Sequence, residues 1–383
     1  MIMLVCLSPN GRACSTGQEA ATELLVGTIR GVLHFTRDAL GRPWREARRS
    51  LEQVHVSSIA HDPGTGLILV GGHGRGGLWA SRDGGTTWAE SMSGIEERHV
   101  FHVAIQPRPD GPVCFAGVEP AGLYRSDDLG ATWSELPALR QVPGTDKWTF
   151  PPPPHLAHAK NVSWHHADPD TFYVCVEQGA LLRTRDGGAS FTEIDSYEKE
   201  TDLWYRDVHR VVIREDDPAR LFLVGGEGIY RSLDEGGTWE HVQTRFDRLG
   251  YPDALVLDPD DQSTVYAAGA GDPPRTWAER QLGTAHAGVI RSHDFGETWH
   301  EAVGGLPEDV RGNFEAMSLH GHRGDAELFL GTATGEVYHS MDRAESWAEV
   351  ATGLPPISKV HHYRWFLGPE ERRRIEELAA GGH

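Results

Sequence analysis

Seven apolar stretches of this chain align on their first core residues, Ile59, Val103, Trp164, Val211, Leu255, Met317 and Tyr363. Two positions earlier stand Ser57, Phe101, Val162, His209, Asp253, Glu315 and His361. Taken round a closed ring, four consecutive members of that series offer imidazole, carboxylate, carboxylate and imidazole at one height. Brought around one centre, His209, Asp253, Glu315 and His361 form a mixed nitrogen and oxygen ligand set with room for water. Such a set suits a divalent metal of the Fe, Mn or Zn kind, which would act as a Lewis acid or activate a water. The metal-free reading makes Asp253 or Glu315 a general base tuned by the histidines. The bland reading is a hydrated channel mouth. His102, His165, His166 and His362 stand close enough to join if the register slips by one.

A second group lies in the connections that share a face with this level. The long insertions 137–160, 196–207 and 271–287 carry Trp148, Trp204, Tyr205, Arg275, Glu279 and His286, and short loops carry Arg30, His73, Arg75, Glu119, Glu177 and Glu227. Long ordered loops on a rigid scaffold are where function concentrates. Arg30, Arg75 and Arg275 would hold a carboxylate or phosphate. Trp148, Trp204 and Tyr205, with His286, would wall a sugar or flat ring. Glu279 joins Asp253 and Glu315 as a candidate acid.

The elements that must position these residues repeat. GLWASRDGGTTW (77–88), GLYRSDDLGATW (122–133), GIYRSLDEGGTW (228–239) and GVIRSHDFGETW (288–299) are one phrase, and 31–44, 180–191 and 336–347 are variants. The closing aromatics, Trp44, Trp88, Trp133, Phe191, Trp239, Trp299 and Trp347, recur every 44 to 60 residues, a period that means repeated supersecondary units. Gly-Leu-Tyr-Arg-Ser alternates like a strand. In Ser-x-Asp-x-Gly-x-Thr-Trp the Asp accepts backbone N–H groups within a tight turn, Gly supplies positive φ, and the aromatic packs back over the hairpin.

This phrase resembles the Asp-box (BNR) repeat of sialidases, sortilin-type receptors, some glycoside hydrolases and photosystem-assembly propellers. The resemblance covers roughly residues 24–367. It implies an all-β fold, a seven-bladed β-propeller of four-stranded antiparallel blades. It also implies that the box aspartates are structural, on the face away from any active site. The first unit lacks an inner strand, so residues 359–367 are expected to complete blade one and close the ring. The expected organisation is a tail over 1–20, the propeller over 21–367 and a short charged helix or tail over 368–383.

Net charge is −20, from 36 Lys and Arg against 56 Asp and Glu, which argues against nucleic acid. No stretch is long enough to span a membrane, and the N-terminal apolar run is short for an export signal, so a cytoplasmic location is expected. The four cysteines show no disulfide or zinc spacing. The sialidase likeness lacks that family's Arg-Ile-Pro strand, and the two-propeller endoglucanases with this repeat use a cleft between propellers. The expectation is an enzyme, a metal-dependent hydrolase, lyase or oxidase acting on a small polar molecule. The alternatives are a propeller that docks a protein partner and a sialidase-like glycoside hydrolase.

Overall fold

In a computed structural model of the chain the described residues are 3–11, 14–199, 206–279 and 283–368, without the side chains of 275, 278 and 279. They form seven sheets and almost no helix. Blade three shows the plan from the axis outwards: His99–Gln106, Val113–Glu119, Gly122–Ser126 and Ser134–Glu135, each antiparallel to the next. The Gly-x-x-x-Ser stretches are the third strands. The Ser-x-Asp turns follow them, so the repeat of the sequence is the repeat of the blades.

Each turn is built as its residue types dictate. In blade three Asp128 accepts from Thr132 N at 2.8 Å, Thr132 Oγ1 at 2.6 Å and Ser126 Oγ at 2.8 Å. Gly130 takes φ 80°, a left-handed conformation that a side chain would strain. The aromatic that closes the phrase reaches back to the preceding blade: Trp88 Nε1 to Ser50 Oγ, Trp133 Nε1 to Ser91 Oγ and Trp239 Nε1 to Ser196 Oγ, all within 3.2 Å. The apolar cores likewise lie between blades, as where Leu69 and Leu78 of blade two meet Val103, Ala116 and Trp133 of blade three.

Ring closure differs from the expectation. The inner strand of blade one is Leu4–Leu7, parallel to Glu23–Thr28, and Cys14–Gly17 adds parallel to the inner strand of blade seven. The segment read as a tail is therefore part of the propeller. Four apolar residues suit the buried inner edge better than 359–367, which carries Lys359, His361, His362 and Arg364. That stretch instead makes a 3-10 turn at His362–Phe366. Between its two strands the N-terminal segment crosses the channel. Asn10 N donates to Ser57 O at 3.0 Å, His102 Nδ1 to Asn10 O at 2.6 Å, and Arg210 to Gly11 O at 3.0 Å. The seam between blades seven and one is locked by buried Glu327, which accepts from Ala21 N, the Arg37 guanidinium and His339.

The inner strands share one irregularity. In six blades the register against the second strand skips one residue: Ser57, Phe101, Lys160, His209, Asp253 and Glu315. A bulge leaves its extra residue out of the ladder and re-aims the side chain. Repeated at one height, it rings the axis with side chains. The ring coincides with the aligned series at five positions; in blade four the bulge residue is Lys160 and not Val162, and His361 has no place in it because Leu4–Leu7 is the inner strand of blade one.

Candidate functional site

The bulges of blades four to six place Lys160, His209 and Asp253 beside Glu177 and Asp207, and all five are buried. Lys160 Nζ donates to Glu177 Oε1 at 2.6 Å, and His158 Nε2 meets Glu177 Oε2 at 2.5 Å. Asp253 accepts from Lys359 Nζ and from Asn313 Nδ2. Glu315 accepts from Lys359 N at 2.7 Å and lies 3.2 Å from His362 Nδ1. The C-terminal stretch thus covers the level through Ser358, Lys359 and His362.

His209 is oriented by the backbone. Nδ1 lies 2.7 Å from Pro252 O. A carbonyl can only accept, so Nδ1 donates and Nε2 is turned toward the carboxylates. Nε2 has no hydrogen-bond partner. It faces Asp207 Oδ1 at 3.4 Å and Glu177 Oε1 at 3.6 Å. Metal–ligand bonds of about 2.1 Å at tetrahedral angles separate ligand atoms by about 3.4 Å. Glu177, Asp207 and His209 therefore fit a divalent ion, and their ligand atoms all lie within 4.8 Å of one another.

From Glu177 a chain of imidazoles and carboxylates runs toward the rim. His158 Nδ1 lies 3.3 Å from Glu119 Oε2, His99 Nδ1 lies 3.0 Å from Glu119 Oε1, and His99 Nε2 bonds His73 Nδ1. His73 is only partly buried, and exposed His361 stacks edge-on to it at 5.4 Å. Alternating rings and carboxylates in contact are the components of a proton relay.

Charges set the protonation states. Burial alone would raise the Glu177 and Asp253 carboxyls, but Lys160, Lys359 and His158 around the first, and Lys359 and His209 around the second, outweigh it. Both sit below the usual carboxylate range. Burial pushes Lys160 down despite Glu177. His158 is also buried, yet Glu177 and Glu119 raise it. Burial drives His73 well below its ordinary value, with His99 and His55 adding to it.

Of the residues named from sequence, His209 and Asp253 meet, with Nδ1 and Oδ1 3.6 Å apart. Glu315 lies on the same ring but engages the C-terminal stretch. His361 belongs to a turn at the rim. Arg30, Arg75 and His286 are exposed. Trp148 packs on the core between blades three and four. Trp204 and Tyr205 lie outside the described residues. Arg275 and Glu279 fall in the helix Pro274–Glu279, with side chains outside the description. The alignment passed over Lys160, Asp207, His158 and Lys359. The lysine in HAKNVSW, a charged residue inside a strand, was the available signal.

Neither a protein-family model nor a curated protein matches the sequence. Solved structures do. An ancestral GH74 enzyme superposes at TM-score 0.59 with 16% identity, over 74% of this chain and 36% of its own. YCF48 from Cyanidioschyzon merolae gives 0.57 and 18%, over 86% and 94%. YCF48 bound to a D1 peptide gives 0.51 and 15%, over 80% and 84%. The chain spans about a third of the length of that GH74 enzyme. At these identities the likeness is one of fold, shared by enzymes and by a peptide-binding propeller.

Proposed function

We propose that the loop-face end of the channel is the reactive site of a metal-dependent enzyme acting on a small polar molecule. Glu177, Asp207 and His209 would hold the ion, which would supply Lewis acidity or an activated water. The observation that carries this is the buried group itself: His209 Nε2, without a hydrogen-bond partner, faces Asp207 and Glu177, and the three ligand atoms lie within 4.8 Å of one another. Asp253, Lys160 and Lys359 would orient the substrate and balance charge. The chain from Glu177 through His158, Glu119 and His99 to His73 would move protons between the site and the exposed rim at His361. Ligand set and relay together favour hydrolysis or lyase chemistry.

The six repeated turns, five Ser-x-Asp and one Thr-x-Asp (Thr184 to Asp186), support placing the chain among the Asp-box propellers of the sialidase-like kind. Arg30 and Arg75 are exposed and do not join the buried cluster, which counts against sialidase chemistry itself. A face for a protein partner is the competing reading. The large exposed apolar residues, such as Leu40, Leu233, Phe246 and Met341, come from different parts of the ring, which favours a small-molecule site. No described helix is long and apolar enough to cross a membrane, and a cytoplasmic location remains part of the proposal.

The test is elemental analysis of purified protein after dialysis against zinc, manganese or ferrous iron. Near-stoichiometric metal in the wild type, lost in Glu177→Gln and His209→Ala variants that keep their fold, is the expected result. A folded wild type that retains none of the three ions ends the metal reading.

A further inference from the structure

The channel has a second end. Below the crossing N-terminal segment, toward the face of the Ser-x-Asp turns, lies a cavity of about 110 Å³. His102, Asn161, Trp164, Arg210, Leu257 and Gln262 help line it. The proposed metal site uses none of these residues.

Arg210 and His102 are 7% and 1% exposed. Among the described residues Arg210 gives one hydrogen bond, to Gly11 O, and its Nε has no partner. Among the described residues no carboxylate stands within ion-pair distance of it. Glu215, at the cavity's mouth, is 3.1 Å from His166 instead. A guanidinium cannot shed its proton, so burying one without an anion is costly. Burial lowers Arg210 to about 10.

His102 narrows the chemistry. Its Nδ1 must donate to Asn10 O, leaving Nε2 without a partner. Burial drops the ring to about 3, with a smaller push from Arg210, so near neutral pH Nε2 is an acceptor. Arg210 and His102 thus stand in the cavity's wall with donor and acceptor capacity that no described partner uses. A cavity of 150 Å³ holds the six carbons of benzene, so this one suits about four or five heavy atoms.

We propose that this cavity binds a small oxyanion that keeps a proton, of the size and kind of hydrogenphosphate or bicarbonate. Arg210 takes the charged oxygens as a planar fork, and His102 Nε2 accepts from the anion's O–H. Sulfate matches the first contact and fails the second.

The experiment follows thermal unfolding of the full chain at pH 7 and constant ionic strength, with inorganic phosphate, bicarbonate or sulfate exchanged for chloride. The expected result is a saturable rise with phosphate or bicarbonate, of about 3 °C at a hundredfold excess over Kd. Sulfate should give clearly less, and Arg210→Met should remove the effect. No rise, or equal rises with all three anions, overturns the proposal. If the Arg210→Met protein does not fold, arsenate soaked into crystals of the unmodified protein decides. An anomalous peak beside Arg210 and His102 supports the site, and no peak there refutes it.

Discussion

The seam between blades seven and one gives the sharpest test of how the ring is held. Glu327 is 1% exposed and reaches across the seam with both oxygens, to Ala21 N at 2.8 Å on one and to the Arg37 guanidinium on the other, which also meets His339 Nε2 of its own blade at 2.9 Å. Arg37 Nε also donates to Ala21 O at 2.7 Å. Glu327→Gln removes the charge and leaves Arg37 buried without its counter-ion. Breaking one side of a buried pair costs about 3–5 kcal/mol. With an unfolding entropy of about 2.1 cal/mol/K per residue, a chain of this length carries about 0.8 kcal/mol/K, so Tm should fall by about 4–6 °C. The loss should be local first. Amides of Leu24, Leu25 and Val26 should exchange faster, and the 8–22 segment should become open to protease. Arg37→Met with Glu327→Leu should recover most of the loss, because both desolvated charges leave together. The pH dependence has a definite sign. Burial alone would raise Glu327, but His339 and Arg37 hold it below its ordinary value. Its contribution is therefore complete above the unfolded value of about 4.3 and is lost as pH falls through the lower folded value. A Tm change under about 1 °C in Glu327→Gln, or a double variant no better than the single, would refute the assignment of the seam to this charge pair.

Two further outcomes follow from the same geometry. Asp128, hydrogen-bonded by Thr132 and Ser126, is held down to about 2. Its turn should keep its stability above the unfolded value of about 3.9 and lose it between about pH 4 and pH 2. Asp128→Asn should remove that part of the acid limb, and an unchanged acid limb in a calorimetric pH series would contradict it. Lys359→Met leaves Asp253 with Asn313 Nδ2 as its remaining side-chain donor. Limited proteolysis should then cut within 355–366 faster than in the wild type, and an unchanged rate would mean that Lys359 does not pin that stretch.

The fold was legible because its signal is repeated. A Ser-x-Asp turn with a following aromatic is one local structure, and each further copy in phase raises the inference from turn to blade to ring. Closure was not legible. Leu4–Leu7 is too short to show a period, and its parallel partner lies beyond a connection that crosses the channel. KVHHYRWFL, by contrast, has the length and aromatic content of a strand, but nothing in its pattern reveals that Lys359 and His362 seek Asp253 and Glu315 rather than a ladder. The level of the site was half legible. Ser57, Phe101, His209, Asp253 and Glu315 were aligned because their strands have clean apolar cores. Blade four is offset by two because the alignment starts its core at Trp164, while the bulge falls at Lys160. Asp207, two residues before His209, was missed because it lies just ahead of the strand Val208–Ile213, at the end of the 196–207 insertion.

Burial of so many ionisable groups would be unremarkable in a purely structural network if every group were matched, as Arg37, Glu327 and His339 are at the seam. The channel is different. Above the N-terminal crossing, Lys160, Lys359 and His158 compensate Glu177 and Asp253, yet His209 Nε2 faces two carboxylates without a hydrogen bond to either. Below it, Arg210 lacks a carboxylate among the described residues and His102 Nε2 has no partner. In a low-dielectric interior an unmatched polar atom costs about 1–3 kcal/mol and a charge more. A chain with apolar residues at hand could have avoided these costs with leucine at 209 and 210. What distinguishes a site from a strut is that mismatch. On the two proposals above, the chemistry differs between the ends: a cation above the crossing and a protonated anion below it.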